Sequence, residues 1–169
     1  LSMSLTAQTA QGILSTARKA NDYFMAKYPD PTRATFVKKV RPSSLWTRAV
    51  YYEGLMALHE IDPQDRYIKY AMDWANFHKW TPRNGVNTTD ADDQCCGQTY
   101  MMLLPYAGRP DSELTAKLRQ NLDNQMATGR HDYWTWIDAI QMAMPVYAQM
   151  YKYTGDRKYM DYAMQSYRW

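Results

Sequence analysis

"RYIKYAM" at residues 66–72 and "KYMDYAM" at residues 158–164 are near-copies of each other, 92 residues apart. Tyr67 aligns with Tyr159, Tyr70 with Tyr162, Ala71 with Ala163 and Met72 with Met164. Residues three and four apart share one face of a helix, so both copies read as the same amphipathic helix used twice. A third helical stretch, "SELTAKLRQNL" (112–122), falls midway between them. The repeating unit is therefore about 46 residues long, which is the length of a helical hairpin with its connections.

Working outward from these helices, apolar periodicity predicts helices at about 5–27, 45–61, 65–79, 91–104, 111–126, 136–152 and 156–169. Turn signals separate them: "YPDP" (28–31), "DP" (62–63), "PRNG" (82–85), "GRPD" (108–111), "TGRHD" (128–132) and "TGD" (154–156). The helices near 45–61, 91–104 and 136–152 are apolar almost all round ("GLMAL", "TYMMLL", "IQMAMPV"), as an inner layer must be. Their alternates carry more charge and suit an outer layer. Pro145 within the 136–152 segment predicts a kink or an early end. The period fits an α-solenoid or a closed α/α toroid, and an apolar inner layer favours the toroid. The 169 residues form one expected domain, 1–169, and hold fewer than four units, so a six-hairpin ring would be incomplete at the C-terminal side.

Composition narrows the function classes. Fifteen Tyr and six Trp against three Phe supply side chains with an apolar body and a polar tip, suited to amphipathic pockets as well as to a core. With 20 basic and 17 acidic residues spread evenly, there is no basic stripe for a nucleic-acid partner. The one short basic cluster, "FVKKVRP" (36–42), reads as a solvated linker. No apolar run has the length of a membrane span. "LSMSLTAQTAQ" has neither the basic start nor the apolar centre of a signal peptide, which leaves a cytoplasmic or periplasmic location open. Cys95 and Cys96 are adjacent within a predicted helix and read as small buried residues rather than a disulfide. His59, His78 and His131 lack metal-ligand spacing.

Chemistry concentrates at the starts of the inner helices. Thr89 precedes Asp92 by three residues and Thr135 precedes Asp138 by three, so both pairs fit the capping box. Against that bland reading stands the 46-residue register, which puts Trp46, Asp92 and Asp138 at equivalent places around one mouth. Trp134 and Trp136 flank Asp138, and indole rings beside a carboxyl can raise its pKa into the range of a general acid. Asp92 and Asp93, adjacent like charges without such cover, are expected to stay ionised. Arg48 either faces the mouth, or pairs with Glu53 or caps a neighbour. Gln94, Gln98 and Gln141 are expected to bridge inner helices rather than line the mouth.

Three motifs in order carry a family resemblance: "LWTRAVYYEGLMAL" (45–58), "ADDQCCGQTY" (91–100) and "WIDAIQMAMPVYA" (136–148), followed by "TGDRKYMDYA" (154–163). Together they resemble the unsaturated glucuronyl and rhamnogalacturonyl hydrolases of glycoside hydrolase family 105, and more distantly family 88. The resemblance implies an (α/α)6 barrel, of which this chain covers roughly the N-terminal half. It implies a substrate that is an oligosaccharide ending in a 4,5-unsaturated uronic acid, with no metal or cofactor. Asp138 would be the acid/base, with Asp92 or its neighbour Asp93 as helper. Trp136 would stack on the sugar, and Trp134, Asp93, Arg48 and Trp46 are the further expected substrate contacts. Family members also draw substrate-binding His, Arg and Trp residues from the second half of the barrel, so these 169 residues alone are not expected to be a competent enzyme. The competing reading is a non-catalytic helical binding module with both aspartates serving as caps; a related barrel glycosidase or epimerase is a third.

Overall fold

The structure, a computed structural model, describes residues 9–169. The start of the first helix expected near residue 5 lies outside the described residues. Eight helices follow in order: α1 (Ala10–Lys27), α2 (Trp46–Ile61), α3 (Asp65–Phe77), α4 (Ala91–Gln94), α5 (Cys96–Leu103), α6 (Asp111–Ala127), α7 (Ile137–Thr154) and α8 (Lys158–Arg168). The helix expected at 91–104 is divided at Cys95, whose own dihedrals remain in the right-handed helical region (φ −50°, ψ −39°).

The inner layer consists of α2, α4–α5 and α7, running side by side in the same direction. Glu53 of α2 fixes their relative height: its carboxylate accepts from Cys95 Sγ at 3.0 Å and from Gln141 Nε2 at 2.7 Å. Further along, the ring of His59 meets edge-on, at 5.4 Å, that of Tyr106 in the turn that follows α5, so the two inner helices stay in step to their ends. α5 is nearly all buried, and a Cβ at Gly97 would come within 2.8 Å of Leu118 and Val146. By contrast, α2 and α7 each keep an open flank: Val50 and Ile61 are exposed on one, Ile137 on the other.

The outer helices perform the same task twice, as the repeat requires. Tyr67 and Tyr159 are fully buried, and their hydroxyls donate to Asp62 (3.3 Å) and Asp123 (2.9 Å). Tyr70 and Tyr162 donate to the backbone carbonyls of Tyr28 (2.5 Å) and Arg130 (2.7 Å), each in the loop after the preceding outer helix. Asp62 also holds Arg18 through two bonds of 2.7 and 2.6 Å, tying α1 to the end of α2.

Two expectations need correction. "FVKKVRP" is not a plain linker: Thr35–Val37 (β1) and Lys39–Arg41 (β2) pair antiparallel, with Lys38 turning between them at φ 60°. Strands of three residues are too short to leave a period-two signal. Nor does Pro145 end its helix, since α7 continues to Thr154 and is capped by Gly155 at φ 71°. A proline deprives the carbonyl four residues earlier of its donor. That carbonyl, on Gln141, accepts instead from Gln98 Nε2 at 2.8 Å. Gln98, and Gln141 through Glu53, thus bridge inner helices as expected, whereas Gln94 reaches outward instead, bonding Asn121 and Gln125 of the outer helix α6.

Candidate active site

A cavity of about 490 Å³ opens at the N-terminal end of the inner layer. The first turn of α4 contributes Asp92, with Thr89 and Asp90 just before it. The first turn of α7 contributes Asp138, preceded by Tyr133, Thr135 and Trp136. Asp92 and Asp138 are each the second residue of their helix, whereas Trp46 is the first residue of α2, one place out of the expected register.

The capping expectation fails at both helices. At α4 the cap is Asp90, whose side chain accepts from the Asp92 amide at 3.0 Å. At α7 the cap position is Trp136, with no side-chain cap bond. Asp90 is the cavity residue that sequence reasoning missed; a cap-forming residue directly before an acidic first turn was the available signal.

The two neighbouring aspartates have opposite surroundings. Asp93 is buried and accepts from Arg83 Nη1 (3.2 Å), Asn84 Nδ2 (2.9 Å) and Thr88 Oγ1 (2.7 Å), which pins the loop ahead of α4. It does not line the cavity. Asp92 does, and burial pushes its carboxyl above the usual carboxylate range; the charges of Asp90, Asp138 and Asp93 add to the rise against Arg83. The expectation that Asp92 is uncovered is thus reversed. The indole cover expected over Asp138 is also missing: Asp138 is exposed, as is Trp136 at 78%.

The remaining sequence candidates sit elsewhere. Along the extended entry to α7, Tyr133 and Thr135 reach the cavity while Trp134 between them turns inward. It is 7% exposed and packs edge-on against Tyr147 at 6.0 Å. Arg48 does not pair with Glu53. It is buried against Phe24 and Tyr28, and with Trp46 it lines a second groove beside the β1–β2 hairpin.

Two carboxylates facing one cavity, one of them biased toward its protonated form, can hold and move a proton on a bound ligand. Among the described residues no group of three or more His, Cys, Asp or Glu could hold a metal ion, and no helix is long and apolar enough to cross a membrane.

The family model of Glycosyl Hydrolase Family 88 matches residues 16–169. The chain belongs to this family. A family 88 structure from Bacteroides vulgatus superposes with a TM-score of 0.79 at 27% identity, over 95% of this chain and 47% of that one. A solved structure described as a polysaccharide lyase superposes with a TM-score of 0.80 at 25% identity, over 95% of this chain and 46% of that one. The unsaturated 3S-rhamnoglycuronyl hydrolase of Alteromonas sp. (strain LOR) is 27% identical, over 90% of this chain and 43% of its own length. The chain thus spans less than half of each of these relatives. Family 88 membership agrees with the (α/α)6 architecture that the resemblance implied and with the toroid that the hairpin repeat favoured, α1 to α8 covering about half of such a barrel.

Proposed function

We propose that this chain is the N-terminal part of a glycoside hydrolase that releases a 4,5-unsaturated uronic acid from the non-reducing end of an oligosaccharide by hydrating its double bond. The observation that carries the reading is the convergence of Asp92 and Asp138, at matching positions of two inner helices, on one cavity of a family 88 chain. The likeness of the three sequence motifs to family 105 supports the same chemistry and a place near that family.

In this mechanism Asp138 gives its proton to C4 of the enol ether, and positive charge develops at C5 beside the ring oxygen. Water adds at C5, returning its proton to the carboxylate. The resulting hemiketal opens, and the rearranged sugar breaks its link to the leaving chain without displacement at the anomeric carbon. The neighbour of Asp138 across the cavity, Asp92, is the carboxyl that burial biases toward the protonated form, which keeps a proton at hand for the exposed Asp138. Asp92 assists by holding the second carboxyl in the cavity, and Trp136 offers its exposed ring as a stacking surface for the sugar. Asp93 serves to brace the loop ahead of α4. The open flanks of α2 and α7 fit closure by further hairpins of the same ring, which would complete the pocket wall.

The test is to incubate the full-length protein with lyase-generated oligosaccharides and follow the ultraviolet absorbance of the conjugated double bond. A hydratase-type hydrolase makes it fall. A lyase, the class of one structural relative, makes it rise on the parent polysaccharide. Constant absorbance on every unsaturated uronide and parent polysaccharide would leave a non-catalytic sugar-binding module.

A further inference from the structure

We propose that the groove between the β1–β2 hairpin and the first turn of α2 is an anion subsite. It takes an oxyanion substituent, a sulfate ester or a carboxylate, on the sugar chain whose end enters the Asp92–Asp138 cavity. The identity of that chain rests on the hydrolase reading above. The groove, about 420 Å³, opens at the same end of the inner layer and is lined by Phe24, Tyr28, Val37, Arg41, Trp46 and Arg48 among others.

The first argument is unspent positive charge. Arg48 is only 5% exposed, and its guanidinium carbon lies 5.4 Å from the Phe24 ring centroid and 5.5 Å from that of Tyr28. Nη1 makes a long 3.4 Å bond to the Pro31 carbonyl, and Nη2 is buried with no partner among the described residues. Arg41 Nε is buried and unpartnered in the same way. Neither arginine pairs with a carboxylate among the described residues, whereas Arg18, Arg66, Arg83 and Arg130 all do. The titratable groups around Arg48 are the phenols of Tyr28, Tyr51, Tyr52 and Tyr70 and the imidazole of His78, and burial favours the uncharged forms of Tyr51, Tyr52, Tyr70 and His78. Buried guanidinium N–H groups without acceptors are costly, and an oxyanion is the ligand that satisfies them.

The second argument is the register of the hairpin. Thr35 pairs with Arg41 and Val37 with Lys39, so these four side chains share one face. Thr35, Val37 and Arg41 line the groove, which puts Lys39 on the groove side too. Phe36 and Val40 take the opposite face and are 75% and 67% exposed. Two cations of the basic cluster visible in the sequence, Lys39 and Arg41, are therefore aimed at the groove, while Lys38 forms the turn. Trp46 at the rim, 36% exposed, adds a ring against which a pyranose can stack while its charged substituent meets the arginines.

The experiment is isothermal titration of the full-length protein with saturated oligosaccharides that it cannot turn over, in three matched forms: sulfated, carboxylated, and neutral after desulfation and carboxyl reduction. At least one anionic form is expected to bind about tenfold tighter than the neutral one, the scale of a charge-assisted hydrogen-bonded contact. Whichever form shows the gain identifies the substituent. Arg41→Met and Lys39→Met, checked for unchanged melting, are expected to shrink that preference to about twofold or less, and added salt to weaken it in the wild type. Arg48→Met is a further variant, read only if it folds. Equal binding of all three forms, or an undiminished preference in Arg41→Met, overturns the subsite. Because binding needs no turnover, constant absorbance in the double-bond assay with the preference intact overturns the hydrolase reading alone.

Discussion

Asp92 and Asp138 occupy the same place in neighbouring inner helices, the second residue of each, and line one cavity from its two sides. Their environments differ in a way that separates catalysis from stability. Asp138 makes no cap bond, so Asp138→Asn is expected to lower turnover roughly 100- to 10,000-fold, the range of a lost general acid–base group. Its melting temperature is expected to stay within the small effect of one charge at a helix N-terminus. Retained turnover on unsaturated uronides would remove Asp138 from the mechanism.

Asp92→Asn is expected to stabilise the fold at neutral pH while reducing turnover. The folded state raises the Asp92 pKa, so it binds a proton more readily than the unfolded chain does. Stability of the wild type therefore falls as pH climbs from the ordinary carboxylate value of about 3.9 through the raised one. The variant lacks this term. Thermal melts of the two proteins should coincide at low pH and diverge, by less than about 1 kcal/mol, as pH approaches neutrality.

The Arg18–Asp62 pair has the opposite sign. Arg18, together with Gln64 and Tyr67, holds the Asp62 carboxyl down at about 2. Its stabilisation is complete above the unfolded carboxylate pKa of about 3.9 and is lost as pH falls toward the folded value. Arg18→Met should therefore melt below the wild type at neutral pH. Acid titration toward about pH 2 should remove most of the gap, and the rest should go as the pH falls below the folded value.

Gln98→Leu leaves the Gln141 carbonyl without its side-chain donor inside the inner layer. That bond is part-buried, so the expected cost lies at the low end of the penalty for an unsatisfied acceptor, about 1 kcal/mol, measurable by urea unfolding. In a Pro145→Ala background the backbone N–H of residue 145 can bond that carbonyl, so the same substitution should cost less. Additive costs in the double mutant would show that the two residues are not coupled in this way.

Much of the architecture was legible because the repeat is written in buried tyrosines. Tyr67, Tyr70, Tyr159 and Tyr162 each need a fixed partner for a hydroxyl, so each repeat holds its tyrosines at the same spacing. Gly155 and the "DP" turn likewise marked real helix ends. The hairpin at 35–41 escaped because three-residue strands have no period to detect. The caps were misjudged for a different reason. Thr-x-x-Asp spacing says which residues could reach a helix start, but the choice among Thr89, Asp90 and Trp136 was made by where the chain leaves its extended entry. Asp93 shows the limit most clearly. In sequence it is indistinguishable from Asp92, and only the loop carrying Arg83, Asn84 and Thr88 turns one carboxylate inward and leaves the other to the cavity.

The paired bonds from Tyr70 to the Tyr28 carbonyl and from Tyr162 to the Arg130 carbonyl reach outside the hairpin that owns each tyrosine. In a linear array of repeats, such ties are the nearest-neighbour terms that make separate units melt as one. Cutting them with Tyr→Phe changes would do more than subtract two hydrogen bonds. It would uncouple adjacent hairpins and flatten the denaturation curve, so that one part of the wall could open while the rest stayed shut.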